Sequence, residues 1–173
     1  VQSHPSPARW LEEQKAVWAR EGVTDLAQTP WGALLMEDVR RQARACRDWL
    51  LQALALCGAD ELLQANYAPS ISASLQGLEE LLRETAWDGV CARLPIPFPA
   101  AGRKQKRSLA LSPFQEEEAR LAGERMRAIR KRCKKILDAA AEPFAEDTAA
   151  QLEELALSRP AMQALMDLVL DFQ

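Results

Sequence analysis

Apolar residues recur every three or four positions over most of this chain, the spacing of helices that each bury one face. Ser6-Pro7 supplies a cap and a first-turn proline, and Trp10, Leu11, Ala16 and Val17 give the following helix its apolar side, with Gly22 ending it. Thr29-Pro30-Trp31 repeats the signal and predicts a long helix to about Cys57, stopped by Gly58. Its stripe is Leu35, Val39, Ala43, Cys46, Leu50, Ala53 and Cys57. Residues 59–86 read as a short helix, a break at Pro69, and a second helix from Ser70 to about Thr85 with Ile71, Leu75, Leu78, Leu81 and Leu82 inward.

Residues 88–111 lose the pattern. Asp88-Gly89, Pro95, Pro97, Pro99 and Gly102 predict an extended proline-rich loop, with Arg103, Lys104, Lys106 and Arg107 at its far end. Ser112-Pro113 then opens the clearest helix, with Gln115 at the capping-box position. Its stripe, Ala119, Ala122, Met126, Ile129, Cys133, Ile136 and Ala140, steps alternately by three and four and predicts a heptad seam packed within the molecule. Pro143 should end this helix. Another is expected over about Asp147–Leu157, and Ser158 and Pro160 should begin the last segment. Leu165, Met166, Leu168, Val169, Leu170 and Phe172 crowd that segment with apolar surface, the pattern expected of a piece of a longer polypeptide.

Composition agrees with the pattern. The 173 residues include only ten aromatics and seven glycines, and Ala, Leu, Glu, Arg and Gln dominate. The expected fold is all-α, a bundle of five or six helices around two long ones, with an extended proline-rich basic loop. Residues 1–6 are expected to form a disordered lead to a single helical unit over 7–173. The lone histidine, His4, lies in that lead, which leaves no histidine zinc site or Ser-His-Asp triad. No two glycines lie closer than ten residues, so no phosphate-cradling glycine loop can be written. The four cysteines lack C-x-x-C spacing and read as reduced thiols of a cytoplasmic protein, and no apolar run is long enough to span a bilayer.

Charge is distributed unevenly. Residues 1–102 carry a net −4, residues 103–135 a net +8, and residues 136–173 a net −7. The basic segment joins Arg103, Lys104, Lys106 and Arg107 to a helix bearing Arg120, Arg125, Arg127, Arg130, Lys131, Arg132, Lys134 and Lys135. At 3.6 residues per turn, Arg120, Arg127, Arg130, Lys131 and Lys134 share a broad face opposite the heptad seam. A row of cations along one helix suits a phosphate backbone; the alternative is a solvated face balanced by the acidic residues of 136–173. No base-reading residue can be named, so binding would follow the backbone. Trp10, Trp18, Trp31 and Trp49 sit where helix packing is the usual role. Adjacent carboxylates such as Glu79-Glu80 diverge on a helix, so neither a catalytic pair nor a metal site is expected.

Several stretches in order resemble the A subunit of the bacterial AddAB (RexAB) helicase–nuclease, a superfamily 1 helicase of the UvrD/RecB type. They are Pro7-Ala8-Arg9-Trp10-Leu11, Thr29-Pro30-Trp31-Gly32, Leu81-Leu82 through Trp87, the basic run Arg127 to Leu137, then Phe144, and Ala164-Leu165 to Phe172. The resemblance covers nearly the whole chain and points to the helical accessory subdomain called 1B. It implies a non-catalytic, duplex-DNA-engaging piece without cofactors of its own. The parent would be an ATP- and Mg2+-dependent 3'-5' helicase and exonuclease of recombinational double-strand break repair. Partners would be double-stranded DNA, the rest of the motor and the B subunit, in the cytoplasm at the nucleoid. Arg103, Lys104, Lys106, Arg107, Arg127, Arg130, Lys131 and Lys134 are the candidate DNA contacts. The alternative is a helical module that docks a protein through its heptad seam or C-terminal apolar face.

Overall fold

The structure, a computed structural model, describes residues 7–18, 22–102 and 110–172. The expectations for the lead 1–6, for Arg103, Lys104, Lys106 and Arg107, and for the side chains of Val17 and Trp18 lie outside that description. The described chain is all-α, with six helices: α1 (Pro7–Trp18), α2 (Pro30–Cys57), α3 (Glu61–Arg83), α4 (Trp87–Arg93), α5 (Pro113–Ala141) and α6 (Thr148–Asp171). Short 3-10 turns, Leu26–Gln28 and Glu142–Phe144, precede α2 and follow α5.

The two long helices α2 and α5 pack on each other, α3 packs on α2, and α6 lies against α1. Gly32, Met36, Val39, Ala43, Cys46, Leu50, Ala53 and Cys57 form the buried stripe of α2, in alternating steps of four and three. The stripe of α5 departs from the expected heptad. Ala119, Ala122, Met126, Cys133 and Leu137 are buried, while Ile129, Ile136 and Ala140 are only half-buried. A straight helix drifts about 20° per heptad, and the buried line follows it. Trp87 is fully enclosed, its ring 5.7 Å edge-on from Trp31 and 4.5 Å from Phe144.

Capping follows the residues. Thr29 Oγ1 accepts from the Gly32 N–H and donates to the Leu26 carbonyl. Ser112 and Gln115 form the expected capping box on α5.

Three boundaries differ from expectation. Pro69 does not break the chain, and α3 runs through it; Pro160 lies inside a single α6 in the same way. Both prolines are exposed, as are Ala65 and Ala156 four residues before them, so the carbonyls that lose an N–H partner can turn to water. On either side of Pro69, Leu63, Asn66, Ser70 and Ile71 are buried, which holds both halves of α3 in line. The region 88–111 is not wholly extended, because Trp87 and Val90 anchor the short α4 in the core.

From Leu94 the chain becomes an extended strap along α3, with a cis peptide at Leu94–Pro95. Ser74 Oγ donates to the Pro97 carbonyl at 2.7 Å, Ser70 Oγ to the Pro99 carbonyl at 2.6 Å, and the Gly102 N–H to the Asn66 carbonyl at 2.8 Å. Prolines offer the strap few N–H groups, so its carbonyls are satisfied by hydroxyls of the helix. Gly77 permits the approach: a Cβ there would lie 3.0 Å from the Pro97 ring.

Candidate nucleic-acid interface

The basic half of α5 meets this strap. A groove of about 430 Å3 opens between them, lined by Tyr67 of α3, Phe98–Ala101 of the strap, and Arg127, Arg130, Lys131 and Lys134 of α5. All four predicted helix cations therefore line one groove. The strap leads directly into the predicted loop cations, beginning at Arg103. A second recess of about 530 Å3 shares Tyr67, Ala101 and Arg127 and extends to Asn66 and Arg120.

The cations are not equivalent. Arg127 and Lys131 are exposed and have no carboxylate partner among the described residues. Lys134 pairs with Asp138 at 2.6 Å, an exposed i,i+4 bridge that a polyanion could displace at small cost. Arg130 departs from the predicted face. It follows Met126 by four residues and precedes Cys133 by three, so it borders the buried stripe instead of opposing it. Its Nη2 donates to Ser70 Oγ at 2.5 Å and to the Pro99 carbonyl at 2.8 Å, and its guanidinium lies 5.9 Å from the Tyr67 ring centroid. Arg130 thus fastens the strap to α3 and α5. None of its partners is a carboxylate, and its Nε is buried without a hydrogen bond.

The other arginines of α5 are held by neighbouring carboxylates or engaged elsewhere. Arg120 is held by Glu117 and Glu124, which raises its pKa further and holds the Glu117 carboxyl below its usual range. Arg132 stacks over Trp49 at 4.2 Å, and Arg125 lines a separate apolar groove with Leu56 and Ile129. The broad face expected from the sequence reduces to Arg127, Lys131 and Lys134, with Arg130 beneath them.

Tyr67, Phe98, Ser70 and the strap carbonyls were not legible as site residues. The available signal was the match between Ser70 and Ser74, four apart on a helix, and the alternating Pro95, Pro97 and Pro99.

Elsewhere, Cys46 and Cys133 face each other in the α2–α5 interface, each Sγ within 4.0 Å of the other's carbonyl oxygen. The contact between the thiols favours a thiolate on Cys46 and pushes the Cys133 thiol well up, while burial raises Cys57 and Cys91. All four cysteines are free. Among the described residues, no group of three or more His, Cys, Asp or Glu side chains could hold a metal ion, and no helix is long and apolar enough to cross a membrane. Comparison with protein-family models, curated proteins and solved structures finds no match to the chain.

Proposed function

We propose that this chain is a non-catalytic DNA-engaging unit whose basic α5 face and adjoining loop bind the backbone of duplex DNA. The observation that carries the reading is the clustering of Arg127, Lys131 and Lys134 on one groove edge. Among the described residues two of them have no competing carboxylate, and the strap ends where Arg103, Lys104, Lys106 and Arg107 begin in the sequence. Such a face would follow phosphates without reading sequence. In the fuller proposal the unit belongs to an AddA-like helicase and exonuclease. It would position duplex for a motor that supplies ATP and Mg2+ chemistry elsewhere, alongside a B subunit.

The test is fluorescence anisotropy of a blunt duplex titrated with the protein at several salt concentrations. Five or six phosphate contacts give a log–log slope of about −4.5 to −5.5. Reversing Arg127, Lys131 and Lys134 to Glu should abolish binding at moderate salt. Absence of binding by the parent chain even at low salt would overturn the reading. It would favour the alternative of protein docking, which predicts salt-insensitive association instead. ATPase and nuclease assays on the chain are expected to show no turnover, and turnover in either would contradict a non-catalytic unit.

A further inference from the structure

A duplex backbone would meet the cations of the α5–strap groove and leave its other wall uncovered. That wall is formed by Tyr67, Phe98, Pro99, Ala100 and Ala101, and the whole groove, about 430 Å3, lies within the range of small-ligand pockets. Beneath the rim, the Arg130 guanidinium is part-buried. Its partners are a hydroxyl, a carbonyl and an aromatic ring, all neutral. A charge withdrawn from water is ordinarily met by an opposite charge. The other charged side chains lining the groove are three more cations, and among the described residues their carboxylate partner, Asp138, belongs to Lys134. The groove therefore combines an uncompensated positive charge with an apolar aromatic wall.

An anion alone would satisfy the charge but leave the wall unused. An apolar peptide would cover the wall but leave the charge. On a face that already binds DNA backbone, an unpaired nucleotide presents both a phosphate and a flat face that stacks on aromatic rings. The geometry points to this groove as a seat for one unpaired nucleotide beside the bound duplex. Its phosphate would lie among Arg130, Lys131 and Lys134 and its base against the Tyr67–Phe98 wall. The inference rests on the DNA-binding reading above and adds a substrate feature to it, the presence of a single-stranded tail.

The experiment compares one duplex in blunt form and with short 3' or 5' tails, by anisotropy at fixed salt. At least one tail should tighten binding about five- to tenfold, the low end of what stacking a single base contributes. Phe98→Leu keeps an apolar side chain in the wall but removes the stacking surface, and should bring the tailed duplex down to the affinity of the blunt one. Tyr67→Leu should do the same. Because either substitution could disturb the strap, 2-aminopurine placed in the tail gives a readout on the unaltered protein: stacking quenches its fluorescence on binding. Equal affinity for blunt and both tailed duplexes, or no quenching, overturns the seat while leaving duplex binding intact. Failure of all the duplexes to bind overturns the underlying reading as well.

Discussion

Arg130 and Lys131 are neighbours in the chain, yet one helical step gives them different roles. Arg130 ties α5 to Ser70 and Pro99, whereas Lys131 is exposed and has no hydrogen-bond or ion-pair partner among the described residues. Arg130→Ala should cost about 1–3 kcal/mol of stability, because two hydrogen bonds to a charged donor and the contact with Tyr67 go together. Lys131→Ala should stay within about 0.5 kcal/mol of the parent. Thermal melting of the two variants separates them, and equal Tm values would remove the fastening role of Arg130. The buried thiols add a pH dependence. Burial raises Cys57 and Cys91, and the contact with Cys46 raises Cys133, so these thiols keep their protons in the folded chain. In the unfolded chain thiols ionise near about pH 8.5. Above that point the folded state binds more protons, so stability falls as pH rises. Cys46 and Cys133 shift in opposite senses through one shared contact, and Arg130 partly offsets Cys57, so the burial of Cys57 and Cys91 sets the sign. The urea midpoint should drop between about pH 7 and about pH 9.5, and Cys57→Ala should flatten the drop. A midpoint that rises with pH would contradict this.

At the scale of elements, the start of α2 inverts a propensity rule. Replacing a helical glycine by alanine normally gains up to about 1 kcal/mol. At Gly32, however, a Cβ would stand 1.9 Å from the Leu26 carbonyl oxygen and 2.7 Å from Thr29 Oγ1, inside the cap itself. Gly32→Ala should therefore destabilise by about 1–3 kcal/mol as the 3-10 turn is pushed off the helix. A raised melting temperature would show that the turn can move away without loss. The same element shows why some of the fold was readable in advance. Thr29-Pro30 and Ser112-Pro113 act through bonds to residues three positions away, so sequence alone places them. Pro69 acts locally too, but its outcome depends on whether both flanks are buried and the proline exposed. That is decided by distant packing, and a reading of neighbours predicts breaks that do not form. The short α4 was missed for a related reason: Asp88-Gly89 reads as a turn, and only the enclosure of Trp87 by Trp31 and Phe144 holds it helical.

Across the whole molecule, the division of charge was legible because it is a matter of counting along the chain, and the groove was not. Its far wall comes from Tyr67 and Phe98, about sixty and thirty residues before the α5 cations they face, and no local pattern pairs them. The strap runs from the groove to Gly102, beside α3, and the loop cations follow it in the sequence from Arg103. If both halves of the basic segment hold one duplex, their contributions to the salt dependence should add. Each phosphate contact contributes about 0.9 to the log–log slope. Neutralising Lys131 and Lys134 to Gln should make the slope shallower by about 1.8, and neutralising Arg103, Lys104, Lys106 and Arg107 to Gln by up to about 3.6. Combining both sets should leave a slope of about −0.9, the contact of Arg127, with the melting temperature close to that of the parent, since neither set includes Arg130. A loop variant that keeps the parent slope would assign the contacts to the α5 face alone, and the strap would then serve only to hold the groove open.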